Sequence, residues 1–134
     1  KLIETIRQSV NKGIPYIGWS AGANLACPTI MTTNDMPIVQ PDNFKALNLI
    51  PFQINPHFTD FQQPGHAGET RETRINEFLL MNRQVYVAGL REGTLFIIKE
   101  GKINLLGQRP CRIFKYGDEP FEKLPGENFD FLMQ

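Results

Sequence analysis

Gly18-Trp19-Ser20-Ala21-Gly22 fits the pattern Gly-x-Ser-x-Gly, and its surroundings decide what the serine can do. Read alone, Ser20 is a hydroxyl at a helix start, a position that serine favours in any case. In the sharper reading it is a nucleophile held on a tight strand-to-helix turn. The two glycines then have a physical task. A side chain at either would collide with the turned backbone, and the strained turn would present Oγ to an open face. The N–H of Ala21, first in the following helix, would be available to a developing oxyanion. An apolar run before the motif and a row of small residues after it favour this second reading.

A serine nucleophile needs a base, and the chain has two histidines. His57 follows the run "FQINP", read as a core strand, and so lies at the edge where open α/β sheets collect their ligands. His66 sits between Gly65 and Ala67 in a loop, a poorer mount for a base. The third member of such a triad orients the imidazole and stabilises its protonated form. Two carboxylates compete. Asp35, in a Pro-rich irregular stretch, gives the order Ser, Asp, His; Glu92, at the tip of a strand over 84–90, gives Ser, His, Glu. Glu92 is favoured, because a strand end holds an orienting group more rigidly than such a loop does.

The elements that must carry these residues read as an α/β fold. Leu2, Ile3, Ile6 and Val10 recur at helical spacing before Gly13, predicting a helix over 1–12. Residues 14–19 are apolar on both faces, as in a buried parallel strand, and feed the helix that begins at the serine. Residues 28–50, with Pro28, Pro37 and Pro41, form an irregular excursion with one short strand at most. In the strand from Phe52, Phe52 and Ile54 point inward against Gln53 and Asn55. A helix follows over 69–81 with Arg71 and Arg74 in its first turns. Next come the strand over 84–90, a hairpin turning at Glu100-Gly101, and a strand from Cys111. The tail from Asp118, with Pro120 and Pro125, drapes over the surface.

At 134 residues the chain suffices for one domain, yet it offers few strands for an α/β enzyme. Lys1 falls inside what reads as a running helix, with no Met and no leading strand. We therefore expect residues 1–134 to be the C-terminal part of a single α/β domain whose N-terminal half is absent. Fourteen basic residues balance fourteen acidic ones, which leaves no electrostatic footprint for nucleic acid or an anionic membrane. Cys27 and Cys111 lie in unrelated contexts, so neither a disulfide framework nor a metal knuckle is expected. No apolar run is long enough to cross a bilayer. A cytoplasmic protein with a small-molecule or peptide partner fits these readings; oligomeric state is left open.

The strings "YIGWSAGANLACPTIMTTNDMPIV", "LNLIPFQINPHF" and "GHAGETRETRI" resemble the peptidase E, or α-aspartyl dipeptidase, family of serine peptidases. In weaker form the resemblance runs through most of the chain. It implies a doubly wound, mostly parallel sheet like that of the class I glutamine amidotransferase domain, with a serine where that group has cysteine. It implies cleavage of dipeptides whose first residue is aspartate, with Ser20 and His57 as nucleophile and base. For the acid, the family has been described with the residue matching Glu92 and with the one matching Asp35, so both stay open. Arg71 matches the arginine thought to grip the aspartyl side chain. Asp35, if outside the triad, could hold the substrate's ammonium. Neither metal nor organic cofactor is implied, since the chain lacks HExxH, paired cysteines and a phosphate-cradling glycine loop. Rival readings are a cyanophycinase-like peptidase acting on β-linked aspartyl polymers and an inactive relative that binds acidic peptides through Arg71.

Overall fold

The computed structural model describes residues 1–35, 38–62, 65 and 68–134; His66 lies outside them. The chain runs through α1 (Leu2–Asn11), α2 (Ala21–Ala26), β1 (Gln53–Pro56), α3 (Arg71–Met81), β2 (Val87–Leu90), β3 (Leu95–Lys99), β4 (Lys102–Leu106), β5 (Cys111–Phe114), β6 (Phe121–Lys123) and a closing 3₁₀ turn (Asp130–Met133). It is a mixed α/β fold. One sheet has the order β1-β2-β5-β6, and β3 and β4 form a separate two-stranded sheet.

Only one pair in the larger sheet is parallel, β1 with β2; β5 and β6 join antiparallel. The expected mostly parallel sheet is therefore not what the described strands form. β5 returns beside β2 after the hairpin, and the short connection from β5 to β6 leaves those two neighbours antiparallel. Side chains alternate across this sheet. Val87 and Phe114 face α3, where they meet Phe58, Ile75 and Leu79. Ala88 and Ile113 face the other way, towards Phe52, Ile103, Leu105, Phe129 and Leu132. The sheet is thus a middle layer between α3 and the hairpin.

Turn chemistry explains the hairpin. Glu100 and Gly101 both have positive φ, 52° and 75°, as a two-residue turn matching the right-handed twist of its strands requires. The C-terminal tail departs from expectation. Instead of draping over the surface it supplies β6 and then Phe129 and Leu132, both essentially inaccessible to solvent. Phe129 stacks edge-on against Phe96, and Asp130 Oδ1 accepts the Ile103 N–H at 2.8 Å, tying tail to hairpin. Prolines at 120 and 125 limit strand length without keeping the intervening residues out of the core.

The expected strand over 14–19 does not form. Ile17 and Trp19 are about four-fifths exposed, and no described strand pairs with this segment. The β1 edge opposite β2 is not open to it. In the parallel register with β2 the N–H of Gln53 points towards Tyr86 O, so the N–H and C=O of Ile54 point to the opposite edge. There Asn24 Nδ2 and Thr32 Oγ1 donate to Ile54 O at 2.9 and 2.8 Å, and Cys27 Sγ accepts its N–H at 3.2 Å. Side chains from α2 and the following loop close the edge that a further strand would have used. Likewise, among its described residues the 28–50 excursion holds only an isolated bridge between Thr29 and Lys45.

β1 is also more enclosed than its alternating sequence suggests: all four residues are buried, including Gln53 and Asn55. Burial of such amides is tolerable only with partners. Asn55 Nδ2 donates to Thr32 O at 3.0 Å and to Asn34 Oδ1 at 2.6 Å, and Gln53 Nε2 bonds Thr29 Oγ1. α1 forms as predicted, but it is anchored by Arg7, whose guanidinium donates to Leu47 O and Ala46 O. Cys27 and Cys111 are free and buried. Burial pushes both thiols up to about 12, so neither is a thiolate near neutral pH.

Candidate active site

Ser20 has φ 52° and ψ −121°, a conformation that non-glycine residues adopt only when the surroundings impose it. Two neighbours impose it. A Cβ at Gly18 would lie 2.5 Å from Gly22 O, so only glycine permits the turn to close. Tyr16 Oη donates to the same Gly22 carbonyl at 2.7 Å, latching the turn from outside. Gly22 differs from expectation: a Cβ there would meet nothing nearer than 3.9 Å, so the collision argument holds for the first glycine alone. Ser20 occupies the N-cap position of α2, yet its side chain makes no capping hydrogen bond. Its hydroxyl is not engaged in holding the helix start.

The parallel register pairs Pro56 with Leu90, so β1 and β2 end side by side. His57 follows β1 directly, and Glu92 stands two residues beyond β2. Their side chains meet there, with His57 Nδ1 3.1 Å from Glu92 Oε1. Ser20, His57 and Glu92 all line one cavity of about 1110 Å³, together with Tyr16, Gly18 and Trp19. No hydrogen bond joins Ser20 to His57 among the described residues. Both partners of the His57–Glu92 contact are well exposed, at 46% and 73% of their side chains. Such a contact contributes little to folding stability, which makes orientation of the imidazole its clearer consequence.

Asp35 is exposed, and its carboxylate accepts from Thr33 Oγ1 at 3.4 Å rather than from His57. Its neighbour Asn34 is fastened, donating from Nδ2 to Pro56 O at 2.5 Å and accepting from Arg74 Nη1 at 3.0 Å. Asp35 acts instead on Arg71. Burial lowers the Arg71 pKa, the nearby Arg74 lowers it further, and the Asp35 charge works in the opposite direction. Thr70 caps α3 by accepting the Thr73 N–H at 2.9 Å, which sets Arg71 as the first helical residue. Among the described residues Arg71 makes no hydrogen bond or ion pair. It lines a second cavity of about 670 Å³ shared with His57, Glu92, Asp60, Arg91 and Arg109. An unpaired, partly desolvated guanidinium beside the imidazole–carboxylate pair is suited to a carboxylate ligand.

The profile of peptidase family S51 matches residues 1–106. The chain belongs to peptidase family S51. It is 53% identical over all 134 residues to a protein named Peptidase E from Nostoc sp. (strain PCC 7120), covering 55% of that protein. It is 51% identical over 128 residues to proteins of the same name from Escherichia coli and Shigella boydii serotype 18, covering 56% of each. The chain thus spans about half the length of the curated relatives it matches. In this chain the Ser20 turn, the His57–Glu92 contact and Arg71 lie around adjoining cavities. Tyr16, Arg91 and Arg109 at this site were not singled out from sequence, since an aromatic in an apolar run and arginines at strand ends carry no distinctive local pattern. No helix among the described residues is long and apolar enough to cross a membrane.

Proposed function

We propose that the whole protein is a cytoplasmic serine exopeptidase that hydrolyses dipeptides with an N-terminal aspartate. In this reading residues 1–134 are the C-terminal part of one α/β domain of the class I glutamine amidotransferase type. Ser20 Oγ attacks the Asp-Xaa carbonyl carbon while His57 takes its proton. The carbonyl electron pair moves onto oxygen, where the Ala21 N–H helps to stabilise it. Collapse of this intermediate breaks the C–N bond, and His57 protonates the leaving amine. Water, deprotonated by His57, then releases aspartate from the Ser20 ester.

Glu92 orients the imidazole through Nδ1, leaving Nε2 as the face towards serine and substrate. Arg71 grips the aspartyl side chain by two parallel hydrogen bonds. Substrates lacking a carboxylate leave that cation unpaired, so selection works by rejection as well as attraction. Asp35, whose charge acts on Arg71, holds the substrate's ammonium in this reading. The reading rests above all on one observation: the 3.1 Å His57–Glu92 contact lines the same cavity as a serine in strained conformation.

Hydrolysis of Asp-Leu beside Asn-Leu, Glu-Leu and Leu-Leu by the full-length protein, with chelator present, tests this function. Cleavage of Asp-Leu alone is expected. Cutting of a β-aspartyl-arginine polymer without Asp-Leu turnover would replace it by the β-aspartyl reading, and no hydrolysis by folded protein would leave a binding role. The two acids are separated by substitution. Glu92→Gln is expected to lower kcat by roughly a hundredfold or more through loss of imidazole orientation, with KM for Asp-Leu little changed. Asp35→Asn is expected to raise KM more than it lowers kcat. The reverse assignment of effects would hand the triad to Asp35.

A further inference from the structure

His57 is strained as well as exposed: its φ is 53°, in the left-handed region that disfavours residues with a Cβ. Such a residue keeps one conformation only if its neighbours hold it. Phe58 is 3% exposed and donates its N–H to Leu90 O at 3.1 Å. Its ring lies on Gly89, where a Cβ would come within 2.7 Å of the ring, and meets Phe114 edge-on at 5.5 Å. Three residues after His57, Asp60 Oδ2 accepts from Arg91 Nη2 at 2.5 Å. Arg91 itself directly precedes Glu92.

The Arg91 guanidinium reaches every side of this corner. Nη1 donates to Glu122 Oε2 at 2.8 Å and to Pro110 O at 2.8 Å, and Nη2 donates to Glu122 Oε1 at 2.9 Å. Its plane stands over the Phe58 ring at 5.2 Å. Only 11% of its side chain is exposed. Hydrogen bonding to Glu122 raises its pKa, outweighing the opposing effect of burial. With both terminal nitrogens engaged by Asp60 and Glu122, this cation does not compete with His57 for the adjacent Glu92.

We propose that Arg91 and Asp60 are positioning residues for the reaction: one guanidinium ties the His57–Asp60 turn to the Arg91–Glu92 tip and so sets the His57–Glu92 geometry. The proposal rests on the reading of that pair as base and orienting acid. Arg91 lines the cavity it shares with Arg71, but its terminal nitrogens are taken by Asp60, Glu122 and Pro110, so in this proposal it acts through His57. Asp60 offers the cleaner variant, because it is 56% exposed and its side chain contacts Arg91 at the rim, away from the core. A purely structural ion pair at such a site would change stability slightly and kcat hardly at all. A misaimed base, by contrast, loses rate steeply with small displacements.

The test uses the full-length protein and the variants Asp60→Ala, Arg91→Met and their combination. In Asp60→Ala, kcat for Asp-Leu is expected to fall about tenfold or more, with KM within about twofold. The double variant is expected to be no worse than Arg91→Met, as befits two ends of one link. Folded Asp60→Ala with unchanged kcat, or losses that multiply in the double variant, would overturn the proposal. A second readout needs no turnover. In the full-length protein, with the His57 signals identified by their loss in a His57→Gln variant, the nitrogen-15 spectrum of His57 is expected to show its proton held at Nδ1, and to become a tautomer mixture in Asp60→Ala. An unchanged spectrum overturns the positioning role even if the enzyme is active. A responsive spectrum in a protein that cleaves no Asp-Leu sinks the peptidase reading while leaving the clamp standing.

Discussion

Ser20→Ala in the full-length protein is expected to abolish hydrolysis of Asp-Leu, lowering kcat by on the order of 10⁴- to 10⁶-fold. The magnitude follows from the chemistry proposed. Without Oγ no aspartyl ester forms, and the remaining oxyanion donor and binding groups can only assist direct attack by water. The fold should survive, since the Ser20 side chain makes no capping hydrogen bond that alanine would remove. Relief of positive-φ strain is not expected either, because alanine also carries a Cβ. Circular dichroism and thermal melting should therefore match the parent while turnover vanishes. Activity near that of the parent would end the serine-peptidase reading, and loss of activity accompanied by unfolding would return Ser20 to a structural role.

Arg71→Ala is expected to lower kcat/KM for Asp-Leu by roughly a hundredfold to a thousandfold, the usual effect of removing one partner of a desolvated charge pair. The more telling result is the comparison with Asn-Leu. In the parent, the unpaired guanidinium discriminates against an uncharged side chain; once it is gone, Asp-Leu and Asn-Leu should be handled within a few-fold of one another. Stability should change little, because Arg71 has no hydrogen bond or ion pair among the described residues to lose. Removing a partly desolvated cation that lies near Arg74 even relieves a like-charge repulsion. An undiminished preference for aspartate in the variant would place Arg71 back on the helix surface and move the specificity determinant elsewhere, with Arg109 of the same cavity the next residue to test.

Residues 18–22, 57 and 92 could be singled out without coordinates because each depends on a local rule, whereas Arg71 stood out only through the resemblance to a known family. A serine between two glycines after an apolar run, a histidine just past a strand-ending proline, and a glutamate at a strand tip are short-range patterns. The helices over 2–11 and 71–81 and the hairpin at Glu100-Gly101 likewise follow from periodicity and turn chemistry over a few residues.

What only the tertiary structure decided depends on who the neighbours are. Whether residues 14–19 pair as a strand is a property of the edge they would pair with, and at Ile54 that edge is already closed by Asn24, Cys27 and Thr32. The tail from 118 contains the same Phe129 and Leu132 whether exposed or buried; contact with the hairpin puts them in the core. The choice between Glu92 and Asp35 as the nearer partner of His57 comes from the parallel register of β1 and β2, which brings two segments 35 residues apart to within 3.1 Å. Arg91 shows the same division. Its charge is visible in the sequence, but its work at the corner of β1, β2 and β6 exists only because three carboxyl-bearing and carbonyl-bearing segments converge on it. Local propensity names the groups that can react; long-range packing fixes which of them meet, since a hydrogen bond or ion pair at this site needs ångström placement that no short stretch of chain encodes.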